Sequence, residues 1–183
     1  NSEIIERIDS SDEWIQQRSG IRSRHRAAPD ETVVDMSEHA ARAAIAHAGL
    51  EPGDIEAIFV ATVTHPYQTP AAAPELASRL GLTCMALDIS AACAGYCHGI
   101  GLASDLVRAG SARHVLVVGV EKLLDFTDPQ DRGSAFIFGD GAGAAIVITF
   151  ALSQNHGRPT VADVFLVAAL LLCAAGYAEG GRV

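Results

Sequence analysis

The amino-acid sequence predicts a layered α/β domain with a mixed, largely parallel sheet. Apolar runs of strand length, at 57–63, 84–90 and 114–121, alternate with stretches that have the pattern of helices. Of the 183 residues, 49% are hydrophobic and only 19% are charged, a balance typical of packed globular proteins. This length is sufficient for one domain with a substantial core.

The first predicted elements are a helix and a buried strand. Thr32 and Asp35 have the spacing of a capping box, so a helix is expected directly after Thr32. Gly49 is a natural end for this helix. The uncharged run AIFVATV at 57–63 then predicts a strand that is buried on both faces.

A proline-rich loop, THPYQTPAAAP, follows this strand and leads to a short helix. Pro74 is expected at the first position of that helix and Gly81 after its end. The run CMALDIS at 84–90 predicts a second buried strand.

The remaining predicted elements are one long helix and three strands. Residues 91–109, closed by Gly110, have a helical pattern, and HVLVVGVE at 114–121 is the clearest strand of the chain. Two further strands, 134–138 and 144–149, follow in succession and suggest one antiparallel pair.

The glycines between these last two strands nearly match a dinucleotide-binding motif. That motif needs a helix after the glycines, whose N–H groups hold the pyrophosphate, but the strand-like AAIVIT follows here. A hairpin turn at Asp140 and Gly141 fits better, so we reject a dinucleotide site.

The distribution of charge limits the classes of ligand. A formal net charge of −9 argues against nucleic acid, because phosphate binding needs a concentrated basic surface. The run RSGIRSRHR at 18–26 is an exception within this acidic chain. It is either a solvated loop or a site for a few phosphates, as on a nucleotide-bearing cofactor.

The cellular setting is predicted from what the sequence does not contain. The N-terminus lacks the basic and apolar regions of a signal peptide. The uncharged run at 164–178 is short for a transmembrane span, so we expect a buried helix there and no contact with a membrane. A reduced, cytoplasmic protein is therefore expected.

Cys93 lies among small residues where a predicted strand gives way to a predicted helix. Four roles are open to it: small core residue, half of a disulfide, metal ligand or nucleophile. The cysteines have no regular spacing, which argues against a disulfide. No second pair of Cys or His residues at a suitable spacing could complete a metal site with Cys93 and His98, which argues against a metal. With Ser90 as N-cap, Cys93 would lie in the first helical turn, where free N–H groups stabilise a thiolate. Cys97, one turn further, is expected to point inward.

Four stretches in order carry a resemblance to a known family: DSSDEWIQQRSGIRSRH, DISAACAGY, VVGVEKL and TDPQDRGSAFIFGDGAGAAIV. From about Ile8 to Val147 the chain resembles β-ketoacyl-acyl-carrier-protein synthase III, the initiating condensing enzyme of type II fatty acid synthesis. The resemblance implies a thiolase-like fold, with 1–149 as its N-terminal half without the first strand. The tail, 150–183, is atypical and resembles later stretches of the family after a gap.

The resemblance also implies a reaction at Cys93. The thiol would take the acyl group of an acyl-coenzyme A primer as a thioester, so coenzyme A is part of a substrate and no cofactor is expected. Malonyl-acyl carrier protein would then lose carbon dioxide and attack the thioester, giving a 3-oxoacyl product that initiates fatty acid or polyketide synthesis.

Further site residues follow from the same resemblance. Trp14 and Arg132 would enclose the adenine of coenzyme A, with Arg18 near its phosphates. Ser19, where the family often has Thr, and Phe138 are assigned to the same coenzyme A site.

The loop THPYQTPAAAP matches a family loop that crosses a two-fold interface and closes the acyl pocket of the partner subunit. The resemblance therefore implies a homodimer. Short-chain-specific members have a bulky Phe at the position of Thr69, beside Gln68. The smaller Thr69 side chain predicts a pocket that accepts branched or longer primers.

Two parts of the family pattern have no match in this sequence. The catalytic His, in a VPHQAN-like motif, and the catalytic Asn, in a GNTS-like motif, do not occur in the 183 residues. Two alternatives to the condensing enzyme therefore stay open. One is a cysteine acyltransferase that moves acyl groups without condensation, and the other is a non-catalytic fragment.

Overall fold

The computed structural model describes residues 1–148, which form four strands and five α-helices. The strands β1 to β4 are, in order, Ala57–Ala61, Met85–Ile89, His114–Lys122 and Asp140–Ile148. The helices α1 to α5 are, in order, Ser2–Ile5, Asp12–Ser19, Val33–His47, Ala72–Arg79 and Gly95–Arg108. Short 3-10 turns lie at Pro52–Asp54, Ala92–Ala94 and Leu123–Asp125.

The four strands form one mixed sheet in the order β2-β1-β3-β4. β1 is parallel to both of its neighbours, and its last residue, Ala61, lies opposite Ile89 on one side and Gly119 on the other. β4 is antiparallel to β3. The carboxyl ends of the three parallel strands therefore meet at one edge of the sheet, where α/β proteins place their ligands.

Helices cover both faces of this sheet. α3 and α4 bury one face in a core that includes Ile58, Val60 and Leu116. α5 buries the other face against Phe59 and Val117. A smaller cluster beneath α2 joins the N-terminal region to the segment before β4, and its buried members are Ile8, Ile15, Ala135 and Phe136. The predicted layered α/β fold is therefore confirmed.

Several local predictions are confirmed. The side chain of Thr32 accepts a hydrogen bond from the Asp35 amide, and the Asp35 carboxylate accepts one from the Thr32 amide, so α3 begins with a complete capping box. Gly49 follows the end of α3 in a left-handed conformation, φ 69°. All five residues of β1 are buried, as the continuous apolar run predicts.

β2 is a strand as predicted, but the prediction that it is buried is wrong. It lies at the edge of the sheet, and Met85 and Leu87 are 52% and 40% exposed. A continuous apolar run is typical of a strand covered on both faces, but it does not distinguish a central strand from an edge strand that has an uncovered face. A smaller error concerns Pro74, which is the third residue of α4 and not the first.

The segment before β4 also differs from the prediction. Residues 134–138 are not a strand: the Ala135 amide donates to Asp131 O and the Ile137 amide to Ser134 O, as in successive helical turns. Asp140 and Gly141 do not form a hairpin turn, because both are paired within β4 with residues of β3. The antiparallel pair is thus β3 with β4. A strand after the glycines agrees with the rejection of a dinucleotide site.

α5 lies unusually close to the sheet because glycines face it. A Cβ added to Gly99 would be 2.9 Å from Val117 Cγ1, and one added to Gly95 would be 3.1 Å from Ala61 Cβ. The close packing fixes where the N-terminal end of α5 lies relative to the ends of β1 and β2. Within 1–148, no helix has the length and apolar character needed to cross a membrane. The helix expected at 164–178 lies outside the described residues.

Candidate functional site

Cys93 lies in the 3-10 turn between β2 and α5, and its side chain is exposed. The prediction that it lies in the first turn of a long helix capped by Ser90 is wrong. The turn begins after Ala91, which makes no side-chain cap, and α5 begins two residues beyond Cys93 at Gly95. The thiol therefore precedes the amino end of α5, whose partial positive charge favours a nearby anion.

The backbone beside Cys93 is strained. Ala92 has a φ of +45°, which places a residue with a Cβ in the left-handed region. Such a conformation costs roughly 1–2 kcal/mol for an L-residue and recurs at functional sites, where the surrounding structure maintains it. Here the residue with positive φ opens the short turn between β2 and α5 and directly precedes Cys93.

Cys93 lines a cavity of about 390 Å³ at the carboxyl ends of the parallel strands. Ala61 lines it from the end of β1, Glu121 from β3 and Asp140 from β4. Tyr96, on the first turn of α5, also lines this cavity. The cavity combines a thiol with space for a small group beside it.

Tyr96 is packed in place against a glycine of β3. A Cβ at Gly119 would be 3.0 Å from Tyr96 Cδ2, so a larger residue there would push the ring away. Burial, with a smaller contribution from Cys97, raises the pKa of the Tyr96 phenol. Tyr96 thus stays neutral at physiological pH and offers an uncharged wall to the cavity.

The other cysteines within 1–148 lie outside this cavity. Cys84, Cys93 and Cys97 are free thiols, and the expectation that Cys97 points inward is wrong because it is exposed. Burial raises the pKa of the Cys84 thiol, which makes it a poorer nucleophile. Among residues 1–148, no three His, Cys, Asp or Glu side chains are grouped as a metal site would need.

A second group of predicted residues meets around Trp14. The guanidinium carbon of Arg132 lies 5.2 Å from the centroid of the Trp14 ring, and that of Arg18 lies 5.6 Å from it. Phe136 contacts the same indole edge to face at 5.3 Å. Arg132 Nε also donates a hydrogen bond to Asp9 O at 2.6 Å. The structure thus brings together an aromatic plane and two cations.

Ser19 and Phe138 are less directly placed for binding. Ser19 Oγ donates to Ile15 O at 2.6 Å and accepts from the Ile21 amide at 3.2 Å, so this hydroxyl stabilises the end of α2. Phe138 is half-buried two residues before β4. Gln68 and Thr69 are exposed in the loop after β1, and neither lines the Cys93 cavity.

The arginine run divides into exposed and structural members. Arg18, Arg22 and Arg26 are exposed, whereas Arg24 is half-buried. Arg24 donates from Nε to Phe136 O at 2.7 Å and from Nη1 to Asn1 Oδ1 at 2.6 Å. Burial lowers the pKa of its guanidinium. Arg24 therefore anchors the loop, and its exposed neighbours remain available to anions.

Three carboxylates organise the site without being predicted from the sequence. Asp88 accepts the Ala72 and Ala73 amides at 2.9 and 2.7 Å and so caps α4 from the end of β2. Asp140 is buried and accepts the amides of Ala27 and Leu124, each at 2.9 Å. Glu121 binds the loop that follows β1. Each of the three lies at the end of a strand or one residue from it, and this position was the available signal.

Comparisons with known proteins agree with the resemblance. Residues 87–158 match the family model for 3-oxoacyl-[acyl-carrier-protein (ACP)] synthase III. The chain is 55% identical over 148 residues to β-ketoacyl-[acyl-carrier-protein] synthase III 1 of Streptomyces coelicolor, an alignment that covers 80% of this chain and 43% of that protein. It is 51% identical to the mycobacterial β-ketoacyl-[acyl-carrier-protein] synthase III of Mycobacterium avium, with 88% and 48% covered.

Solved structures give the same result. The priming β-ketosynthase of a polyketide biosynthetic pathway superposes with a TM-score of 0.77 at 46% identity, covering 82% of this chain and 45% of that one. The 3-oxoacyl-[acyl-carrier-protein] synthase III of Aquifex aeolicus superposes with a TM-score of 0.79 at 37% identity, with 85% and 49% covered.

The mixed sheet between helical layers is therefore the fold of the thiolase-like condensing enzymes. Within that class, the chain is similar to β-ketoacyl-acyl-carrier-protein synthases III over 80% or more of its own length. It spans about half the length of the curated relatives that it matches.

Proposed function

We propose that the protein to which this chain belongs is a 3-oxoacyl-acyl-carrier-protein synthase III. It condenses an acyl-coenzyme A primer with malonyl-acyl carrier protein and initiates fatty acid or polyketide synthesis. The observation that carries this proposal is the exposed Cys93 thiol, which lines a cavity at the carboxyl ends of the strands in a chain that is similar to this family. In this proposal, residues 1–149 are the N-terminal half of the enzyme and 150–183 an atypical tail.

In the first half-reaction, the Cys93 thiolate attacks the carbonyl carbon of the acyl thioester. The new S–C bond forms as the bond to the sulfur of coenzyme A breaks, and the departing sulfur takes up the proton that Cys93 gave up. N–H groups at the amino end of α5 lie next to Cys93 in sequence and favour the negative charge that develops.

In the second half-reaction, the malonyl group loses carbon dioxide, and its electron pair stays on the adjacent carbon. That carbon attacks the Cys93 thioester and forms the new C–C bond. The C–S bond breaks, the 3-oxoacyl group leaves on the carrier protein, and the thiolate is regenerated. One nucleophile therefore serves two substrates in turn.

We place coenzyme A at the Trp14 cluster. Adenine would stack on Trp14 with Arg132 over its other face, and Arg18 would bind phosphate; Ser19 and Phe138 would border this site. Two stacking contacts need about 7 Å between Trp14 and the guanidinium. Their distance is 5.2 Å here, so Arg132 must swing away from the indole when adenine enters.

We assign Gln68 and Thr69 to the floor of an acyl pocket that accepts branched or longer primers, and we propose a cytoplasmic homodimer. The loop of these two residues is exposed, as a segment that enters a partner subunit would be. Apolar side chains on the edge strand β2 and on α5 are also exposed, namely Met85, Leu87 and Leu102. A hydrophobic sheet edge of this kind favours pairing with a second chain.

A second function is favoured by one observation. The 183 residues contain no VPHQAN-like or GNTS-like motif, which in this family assist decarboxylation. Transfer of the acyl group from Cys93 to a second thiol needs no decarboxylation, so acyl transfer without condensation is the alternative function. Adding malonyl-acyl carrier protein to the acylated protein distinguishes the two: condensation releases carbon dioxide, whereas transfer alone does not.

Acylation of Cys93 tests the proposal. After incubation with acyl-coenzyme A, mass mapping should find a thioester on Cys93, and Cys93→Ser should abolish it. Cys97→Ser is the matched control, because Cys97 is also exposed but does not line the cavity, and it should leave labelling unchanged. Labelling of Cys84 or Cys97 in place of Cys93 would refute the assignment.

A further inference from the structure

Glu121, on β3, lies beside the point at which the chain leaves β1 and forms the 62–71 loop. The backbone pairing of β1 with β3 ends at Ala61 opposite Gly119, so the Val63 amide has no strand partner on β3. The Glu121 carboxylate accepts that hydrogen bond instead, with its two oxygens 3.1 and 3.2 Å from Val63 N. This side chain therefore continues the hydrogen bonding of the sheet into the loop.

Two buried threonines complete the contact. Thr64 Oγ1 donates to Glu121 Oε2 at 2.7 Å and accepts from the Lys122 amide at 2.9 Å. Thr62 Oγ1 lies 3.4 Å from the same carboxylate oxygen. Thr62 and Thr64 are 6% and 5% exposed, so their hydroxyls would lose partners in a buried setting if the carboxylate were removed.

The same side chain borders the cavity of Cys93. Glu121 and Ala61 both line this cavity, and Ala61 is the residue directly before the loop. The base of the 62–71 loop and the wall of the cavity therefore share one carboxylate. A shift of that carboxylate changes the position of the loop and the space beside the thiol together.

We propose that Glu121 is a positioning residue for acyl selection. It holds the base of the 62–71 loop against the cavity wall and so sets the size of the acyl group that reaches Cys93. This inference rests on the proposed function, because the acyl thioester is the substrate whose size is selected. Glu121 itself does not contact the reacting atoms in this proposal.

Hydrogen exchange tests the positioning of the loop without any substrate. Glu121→Ala removes the shared acceptor, and Thr64→Val removes the Thr64 hydroxyl at nearly constant shape. Each variant should speed amide exchange within 62–71 about tenfold or more while β1 and β3 stay protected. Thr64→Ser keeps a hydroxyl and should restore protection. Glu38→Ala, which removes an acid of α3 that pairs with Arg42, is the control for loss of a carboxylate.

Alkylation of Cys93 by N-alkylmaleimides tests selection by size. Rates for N-methylmaleimide and N-octylmaleimide, measured by mass mapping of the Cys93 peptide, give a short-to-long ratio for each variant. Glu121→Ala and Thr64→Val should change this ratio about fivefold or more, because several methylenes gain or lose contact. For Thr64→Val the N-methylmaleimide rate should stay within about twofold of the parent, since this variant leaves the charges around the thiol unchanged. Thr64→Ser should restore the parent ratio.

The outcomes separate this inference from the proposed function. An unchanged exchange rate in 62–71 for both Glu121→Ala and Thr64→Val, or an unchanged size ratio, overturns the role of Glu121. If Glu121→Ala does not fold, the pair Thr64→Val and Thr64→Ser decides. A parent chain that is not acylated by acyl-coenzyme A refutes the proposed function, while exchange and maleimide selectivity still decide whether Glu121 positions the loop.

Discussion

Local structure around Cys93 decides how its thiol is presented. The exposed side chain lies in a short 3-10 turn, directly after Ala92 with its positive φ, and the amino end of α5 follows. Two carboxylates line the same cavity, but each is bound by donors: Glu121 by the 62–71 loop, and Asp140 by two amides. These hydrogen bonds partly compensate the negative charges of the two carboxylates, which therefore repel a Cys93 thiolate less strongly.

Trp14 is the residue on which we expect coenzyme A binding to depend most. Loss of stacking on one face of a base costs roughly 1–3 kcal/mol, so Trp14→Ala should weaken binding of coenzyme A about tenfold or more. Trp14→Phe keeps an aromatic plane and should lose less. Titration calorimetry with coenzyme A measures both variants, and equal affinities for Trp14→Ala and the parent would contradict this placement.

At the scale of the element, α5 connects the packing of the sheet to the position of Cys93. Because Gly95 and Gly99 have no side chain, the helix packs so close to β1 and β3 that an added Cβ would be too near to the strand side chains. Gly101 lies on the same helix but faces open space, with nothing within 4 Å of an added Cβ. The three glycines therefore have different structural roles although their sequence context is similar.

The contrast between Gly99 and Gly101 gives a matched pair of substitutions. Gly99→Ala would place Cβ 2.9 Å from Val117 Cγ1, and overpacking of this kind costs about 1–3 kcal/mol of unfolding free energy. Gly101→Ala should instead stabilise by about 0.5–1 kcal/mol, because alanine is the better helix former. Urea unfolding measures both changes. Equal effects of the two substitutions would show that α5 does not need a glycine against the sheet.

The capping box of α3 predicts how stability depends on pH. Hydrogen bonds from the Thr32 side chain and amide, with a further one from Arg79, lower the pKa of Asp35 from 3.8 to about 2. A carboxyl with a lowered pKa in the folded state stabilises it fully above about pH 4, and this stability is lost as the pH falls towards 2. Because the Asp35 side chain is 35% exposed, solvent screening limits the effect to about 1 kcal/mol.

Asp35→Asn isolates this contribution. The variant should be less stable than the parent at pH 7, and the difference should shrink between pH 4 and pH 2. Denaturant midpoints measured at several pH values check this expectation. A difference that stays constant across that range would mean that ionisation of Asp35 does not stabilise the fold.

Sequence patterns that span only a few residues were sufficient to predict elements of secondary structure. Features that depend on contacts between distant residues could not be predicted from such patterns. Thr32 with Asp35 and Gly49 after the helix are local features, and both predictions are confirmed. The exposure of Leu87 depends on which strands lie beside β2, and a run of apolar residues does not specify the position of its strand in the sheet. The bond from Val63 to Glu121 joins residues 58 apart, so no spacing within the sequence indicated it. Cys93 could be proposed as a nucleophile from the sequence, but its place in a 3-10 turn before α5 could not.

At the scale of the whole molecule, residues 1–148 leave apolar side chains exposed on the edge strand β2 and on α5. β2 is an edge strand, with Met85 and Leu87 exposed along it, and Leu102 is exposed on α5. Tyr67, in the 62–71 loop, is 64% exposed. The net charge of −9 favours solubility but does not cover these side chains. This is the surface that the proposed homodimer would bury.

Leu87→Lys tests that interface. A charged side chain on an edge strand opposes pairing with another strand, so the variant should shift a dimer towards monomer at a given concentration. It should leave the fold unchanged, because Leu87 is already 40% exposed. Sedimentation velocity measures the distribution of species. Phe126→Ser, which removes an exposed apolar side chain from the turn after β3, is the matched control and should leave assembly unchanged. An identical distribution for Leu87→Lys and the parent would place the interface away from β2, and the 62–71 loop would then have no partner subunit to enter at this edge.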